Sequence, residues 1–358
     1  MSFVLYPVHE DIRIWYAAAQ AGLRYSWAAI YDAPTLRALS LSFPAGQRNI
    51  DSSDMYASPP LLAWLFAPLT AVPEPVAYAL WTLLSLAALV WTWYIAAPFR
   101  GLAKFTLLLA ALALWPVMDS FYRGQPTMVM LALVATAWWL CARDRPLAGG
   151  AVLAIATVFK PHLLVLVPLA LLVSGRIRPV VGWIAGGAVM AIATFATLGP
   201  AGVIAWWHAL KYLESNTQHA FFTTVYLFGF GPLTYALFAI QVVAVVAIAW
   251  RWRAHLEVVL AAGLVGSLAV SFHLHVYDYS STVLAAWLVL RASPPLWHRL
   301  ALLVGVVTMM ALPLGLPAPQ LIWDAAWLGI LLVSSYAGSG ASAPATRSAD
   351  ASAARVGT

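Results

Sequence analysis

Apolar runs dominate the chain from residue 59 onward. They fall at about 59–72, 75–97, 103–118, 126–142, 147–159, 161–174, 179–199, 233–250, 257–272, 281–291, 300–314 and 320–336. Strands of a membrane barrel alternate polar and apolar residues. These runs are continuous and rich in Ala, Leu and Val, so they predict helices. A full span needs about 20 apolar residues, and several runs are shorter. Some helices are therefore expected to be tilted, broken or re-entrant. The clearest break is Lys160-Pro161-His162, which splits 147–159 from 161–174. Proline removes a backbone donor and interrupts a helix. Irregular backbone at membrane depth is tolerated only where it is buried in protein or lines a wet cavity. The pattern predicts an all-α, polytopic membrane protein with about 10–12 transmembrane or re-entrant helices.

The first sixty residues depart from this pattern. Glu10, Asp11, Arg13, Arg24, Asp32, Arg37, Arg48, Asp51 and Asp54 are mixed there with Trp15, Tyr16, Tyr25, Trp27, Tyr31 and Tyr56. Ile12, Trp15, Tyr16 and Ala19 recur at helical spacing, which predicts an amphipathic helix on the membrane surface. Three regions follow. An N-terminal external loop with this helix covers 1–58, the bundle covers 59–336, and 337–358 forms a tail. The tail is Ala/Ser/Gly-rich, has too little apolar surface to fold, and is expected to be disordered and cytoplasmic.

Composition narrows the class. The 358 residues are 63% hydrophobic and 9% charged, against roughly a quarter charged in soluble domains. The single cysteine, Cys141, lies in an apolar run, so neither an internal disulfide nor a cysteine metal cluster is expected. The first ten residues lack the basic and apolar regions of a cleavable signal peptide. A net charge of +6 raises the question of nucleic acid, but its distribution answers to topology and no nucleic acid is expected. A cytoplasmic set of Arg100/Lys104, Arg143/Arg145, Arg176/Arg178, Arg251/Arg253, Arg291/Arg299 and the tail takes 12 of the 19 basic residues. Only three acids, Asp144, Glu257 and Asp350, fall with them. This obeys the positive-inside rule.

The opposite, non-cytoplasmic face then gathers Asp119–Pro126, Lys160–His162, His273–Asp278 and the loop 200–232. In that loop Trp206, Trp207, Lys211, Tyr212 and Glu214 suit an interfacial helix. The first loop joins that face if the run 59–72 only dips into the membrane, and lands on the other face if it crosses.

Each polar segment has a functional reading and a structural one. Asp11 could take a proton from an acceptor hydroxyl, or simply cap a helix. Tyr56 to Pro60 reads as a loop-to-helix junction, with proline in the first helical turn. Arg123-Gly124-Gln125-Pro126 is a tight turn. Its arginine suits a phosphate and its glutamine a sugar hydroxyl, or it is a polar turn with an interfacial arginine. Lys160 is an ionisable residue in an apolar segment, a costly placement that marks a cavity. Its compact cation suits a phosphate, and snorkelling is the alternative. His273, His275 and Asp278 suit phosphate or sugar contact, or are aqueous-loop polarity. Their spacing is not a zinc signature, so no metal is expected. No nucleophile elbow, P-loop or dinucleotide glycine pattern is present.

The order of these pieces resembles glycosyltransferase family 87 of the GT-C superfamily. Asp11 to Ala19, Ile30-Tyr31-Asp32, Tyr56 to Pro60, Gly124-Gln125, Ala148-Gly149-Gly150, Lys160-Pro161 and a late His/Tyr/Asp patch carry the likeness, over roughly residues 8–335. Polyprenol-phosphate-mannose-dependent mannosyltransferases belong to that family. The resemblance implies a GT-C-type bundle in a bacterial plasma membrane. It implies a polyprenyl-phosphate sugar as donor substrate with no cofactor, a lipid or glycan acceptor, and transfer with inversion on the outer face. It assigns the base to Asp11, and donor phosphate or sugar contact to Gln125 and Lys160. Arg123 is placed beside them by the turn it shares. His273, His275 and Asp278 fall in the late motif, which varies. In the family a transmembrane helix precedes the aspartate, and no apolar run precedes residue 11 here. The rival readings are a lipid or sugar transporter, which would also have broken helices, and a non-catalytic membrane protein.

Overall fold

The computed structural model describes residues 10–43, 56–215 and 220–336. Arg48, Asp51, Asp54 and the tail 337–358 lie outside the described residues. Among the described residues there are sixteen α-helices and no strand.

They run α1 (Glu10–Arg24), α2 (Ala33–Ser40), α3 (Pro60–Phe66), α4 (Glu74–Ala96), α5 (Gly101–Ala113), α6 (Trp115–Arg123), α7 (Thr127–Cys141) and α8 (Pro146–Phe159). There follow α9 (Val167–Val173), α10 (Ile177–Ser215), α11 (Thr224–Phe228), α12 (Pro232–Arg251), α13 (Leu256–Ala269), α14 (Ser281–Arg291), α15 (Leu296–Met309) and α16 (Ala318–Val333).

The chain is a multi-pass membrane protein. Among the described residues, α4, α10, α12 and the segment Leu296–Leu314 are long and apolar enough to cross a membrane. The pair α5–α6, bent by 61°, makes a fifth if it counts as one span. Several other helices are apolar but only 10–17 residues long. The unit Pro60–Ala71 is one of these, α3 plus a turn of 3-10 helix. At 12 residues it falls short of the roughly 20 that a crossing needs.

Most predicted runs became helices, with two differences. The run 103–118 breaks at Leu114, where Pro116 sits in the first turn of the second half and redirects the chain. The run 179–199 and the expected interfacial helix form one element, α10, kinked at Gly199 ahead of Pro200. Gly199 has φ 65°, a conformation that costs glycine little.

The sequence also predicts an amphipathic helix at α1; the helix forms, and most of it is buried against other elements of the protein. Ile12, Arg13, Trp15, Tyr16, Ala17, Ala18, Ala19 and Ala21 are all buried, against α2, α3, α4 and α6. Two features allow this. The alanines let neighbours approach closely, and Arg13 is neutralised where it is buried. Its Nε donates to Glu74 Oε1 at 3.0 Å and a second guanidinium nitrogen to Oε2 at 3.3 Å. Trp15 adds edge-on ring contacts to Phe66 at 5.6 Å and Trp81 at 6.4 Å.

The bundle is organised around α13, whose residues from Val258 to Ala269 are all buried. A helix apolar on every side belongs in a core, and α9, α12, α14 and α16 surround it. Beside it α8 packs tightly on α10. A β-carbon on Gly150 would land on the Pro179 carbonyl, and one on Gly182 on the Leu147 carbonyl. Small residues at that interface let the two backbones touch.

Candidate functional site

Four polar segments far apart in sequence meet at one end of this bundle, each for a local reason. Helix α6 stops at Gly124, which is left-handed at φ 68°. Pro126 then opens α7. Helix α8 stops at Lys160 because Pro161 cannot continue it. After α13 the chain forms a 3-10 turn, Val276–Ser280, in which Asp278 Oδ2 accepts the His275 N–H at 2.8 Å. The fourth segment is the first turn of α1, where unpaired N–H groups favour an acidic side chain. Asp11 is there.

Asp11 and Gln125 are in direct contact: Gln125 Nε2 donates to Asp11 Oδ2 at 2.7 Å. Gly124 makes this possible, because a β-carbon there would collide with Ile12, the residue after Asp11. Trp81 Nε1 donates to the Gly124 carbonyl, and Tyr78 holds the carbonyls of Phe121 and Tyr122. Gly124→Ala is therefore expected to destabilise the protein by about 2–4 kcal/mol, combining the left-handed penalty with overpacking. It should also weaken any activity that needs Asp11 beside Gln125. Thermal unfolding of the purified variant checks the first effect.

Lys160 and Asp278 form the second half of the site. Lys160 Nζ lies 2.7 Å from Asp278 Oδ1, and both side chains are buried, at 8% and 1% exposure. Burial pushes the Asp278 carboxyl up, but Lys160, then His162, more than reverse this and hold it well below the usual carboxylate range. His162 Nε2 lies 3.9 Å from Asp278 Oδ2. The ring of His162 meets His273 at 5.5 Å, His273 meets His275 at 5.1 Å, and His275 stacks on Tyr277 at 5.1 Å.

Tyr277 joins the two halves. Its ring lies 4.4 Å from Lys160 Nζ and 5.9 Å from the Arg123 guanidinium carbon. Arg123 Nε is in turn held by both oxygens of Asp119, at 3.1 and 3.2 Å.

All seven residues singled out in the sequence, Asp11, Arg123, Gln125, Lys160, His273, His275 and Asp278, thus belong to one connected cluster. Their accessibility differs. Asp11, Arg123, His273 and His275 are half-buried, Lys160 and Gln125 are buried, and Asp278 is fully buried. The oxygens of Asp278 are taken by Lys160 and the His275 amide. Asp278 therefore orients Lys160 rather than offering a free face. Sequence reasoning passed over Asp119, Tyr277 and His162 as site residues. Asp119 had a signal, since it stands four residues before Arg123 on a helix. Tyr277 had none beyond its place in the late motif.

The remaining candidates have structural duties. Tyr56 OH donates to the Pro59 carbonyl at 2.7 Å and accepts the Ala63 N–H at 3.1 Å, fixing the start of α3. Asp32 caps α2 by accepting the Thr35 N–H at 3.1 Å. Among the described residues, no group of three or more His, Cys, Asp or Glu side chains is disposed to hold a metal ion.

The cluster combines a half-exposed carboxylate with a lysine, an arginine and three imidazoles. A carboxylate can remove a proton. Cations and imidazoles can stabilise charge that develops on a departing phosphate. Helices α7, α8 and α13 each bring one end to this region. At 14 or 15 residues they reach only about 21–23 Å, less than the ~30 Å hydrocarbon core.

A family model described as Glycosyltransferase family 87 matches residues 56–276, well over half of the chain. The match spans Arg123, Gln125, Lys160, His273 and His275, while Asp11 lies before it and Asp278 just after. No curated protein matches, and no solved structure does.

Proposed function

Since the chain belongs to glycosyltransferase family 87, and is therefore a membrane glycosyltransferase, we propose that it moves a hexosyl group, mannosyl in the first instance, from a polyprenyl-phosphate donor to a lipid or glycan acceptor. The observation that carries this reading is the 2.7 Å contact between Gln125 and Asp11. It ties a carboxylate outside the family match to the cations and imidazoles inside it.

In the proposed reaction the donor phosphate lies against Lys160 and Arg123, with His162, His273 and His275 alongside. Lys160 has three donors and gives one to Asp278, so two remain for phosphate oxygens. The acceptor oxygen attacks the anomeric carbon from the side opposite the phosphate, and its proton passes to Asp11. The bond from the anomeric carbon to the phosphate oxygen breaks, and the oxygen keeps the electron pair. Its developing charge falls where the cations stand. One displacement inverts the anomeric centre. A phosphate leaves without a general acid, so the second carboxylate of a glycosidase has no task here.

We assign the site to the non-cytoplasmic face of a bacterial plasma membrane, within a GT-C-type bundle. The basic loops at the other ends of the helices support that orientation.

The test is a transfer assay with the purified chain in proteoliposomes. Labelled polyprenyl-phosphate hexose should yield labelled lipid or glycan, and a nucleotide sugar should not. Movement of labelled lipid between leaflets without any sugar transfer would overturn the reading in favour of a transporter.

A further inference from the structure

The opposite ends of the same helices enclose a second feature. Helix α7 ends at Cys141, α8 begins at Pro146, α10 at Ile177 and α13 at Leu256. Between these ends lies a cavity of about 450 Å³, lined among others by Asp144, Pro146, Arg176, Arg178 and Leu256. Since α7 and α8 carry the Asp11 cluster at their other ends, a rise of 1.5 Å per residue sets the cavity about 20 Å from it.

Its electrostatics are uncompensated. The Nη1 of Arg176 is buried and makes no hydrogen bond. A buried donor left unpaired is costly, and a guanidinium more so. Glu257 acts on Arg176 through its charge, but its carboxylate accepts a hydrogen bond from Trp138 Nε1 at 3.3 Å. Burial pulls Arg176 below its ordinary range, and Glu257 opposes that pull. Arg291 crowds the same carboxylate from over the Trp138 ring, 4.7 Å away. In the cavity wall itself two arginines face one acid, Asp144. The cavity wall thus carries an excess of positive charge.

Its surroundings are apolar. Leu147 (54% exposed) follows Pro146, Ile177 (61%) follows Arg176, and Leu172 (50%) precedes the loop that carries it. A ligand that satisfied both parts would have an anionic head and an apolar tail. Planar guanidinium groups match phosphoryl oxygens, and basic pockets at the ends of membrane helices bind lipid head groups.

We propose that this cavity binds a phosphoryl anion carried on a lipid, the head group of an anionic phospholipid, on the face opposite the Asp11 cluster. The site is separate from the sugar-transfer centre and does not depend on the donor assigned above.

The test uses the full chain in detergent, with thermal unfolding and lipid-bound native mass spectra as readouts. Phosphatidylglycerol should raise the unfolding temperature more than phosphatidylcholine, and remain bound after delipidation. Arg176→Gln should weaken that binding about tenfold, the worth of one charge-assisted hydrogen bond. Arg178→Gln is at an exposed position and serves if the first variant does not fold. Arg24→Gln, at another exposed position, should change nothing. Equal effects of the two lipids, or an undiminished preference in both cavity variants, would sink the proposal. Inorganic phosphate giving the whole stabilisation by itself would overturn the lipid assignment. Sugar transfer measured in phosphatidylcholine should survive Arg178→Gln, so failure here and failure of the transferase reading are distinguishable.

Discussion

Asp11→Asn is expected to lower sugar transfer by about 10²–10⁴-fold, the usual worth of a positioned general base, while the protein stays folded. Asparagine keeps the shape of the side chain and an oxygen that can accept from Gln125 Nε2, so the 2.7 Å contact survives. What it loses is the ability to take a proton. The loss should therefore fall on kcat, with little change in KM for the donor, because the proposed mechanism sets Asp11 against the acceptor hydroxyl and not the phosphate. The unfolding temperature of Asp11→Asn should match that of the wild-type chain. Transfer within threefold of wild type, with folding verified, would remove Asp11 from the mechanism. The reading of the Lys160 and Arg123 region would stand.

Gln125 is the control for this result. It touches Asp11 from a buried position in the turn that Gly124 forms. If its task is only to orient the carboxylate, Gln125→Leu should reduce kcat less than Asp11→Asn does.

Sequence pattern reached a long way into this fold. The apolar runs marked most of the helices, because a membrane helix announces itself by length and continuity. It could not see where runs would bend. Leu114 and Gly199 break their helices through local backbone geometry, which hydropathy does not record. It marked α1 through the spacing of Ile12, Trp15 and Tyr16, but not how far other elements bury it: Arg13 is paired inside the protein with Glu74, 61 residues away. No local rule contains such a pairing. The same limit applies to the site. The segments around Asp11, Gln125, Lys160 and Asp278 were each visible as polar interruptions of apolar runs. Which of them touch was not visible, since 114 and 118 residues separate the two closest pairs.

The Lys160–Asp278 pair yields the sharpest separation of structure from chemistry. Removing one partner leaves the other charged in a buried place, at a cost of about 3–5 kcal/mol. Asp278→Asn strands the ammonium of Lys160, and Lys160→Met strands the carboxylate, which keeps the His275 amide and the more distant His162. Both single variants should unfold well below the wild-type temperature. The double variant Lys160→Met/Asp278→Asn removes both charges. Asparagine still accepts the His275 N–H, and methionine fills the space of the lysine stem, so stability should return to within about 1–2 kcal/mol of wild type. Sugar transfer should not return with it. If Lys160 meets the donor phosphate, a folded protein without it loses a charge-assisted contact that strengthens as the phosphate departs, and activity should stay at least about 10²-fold down. A double variant that regains both stability and transfer would make the pair purely structural, and would leave Arg123 and the imidazoles to receive the leaving group.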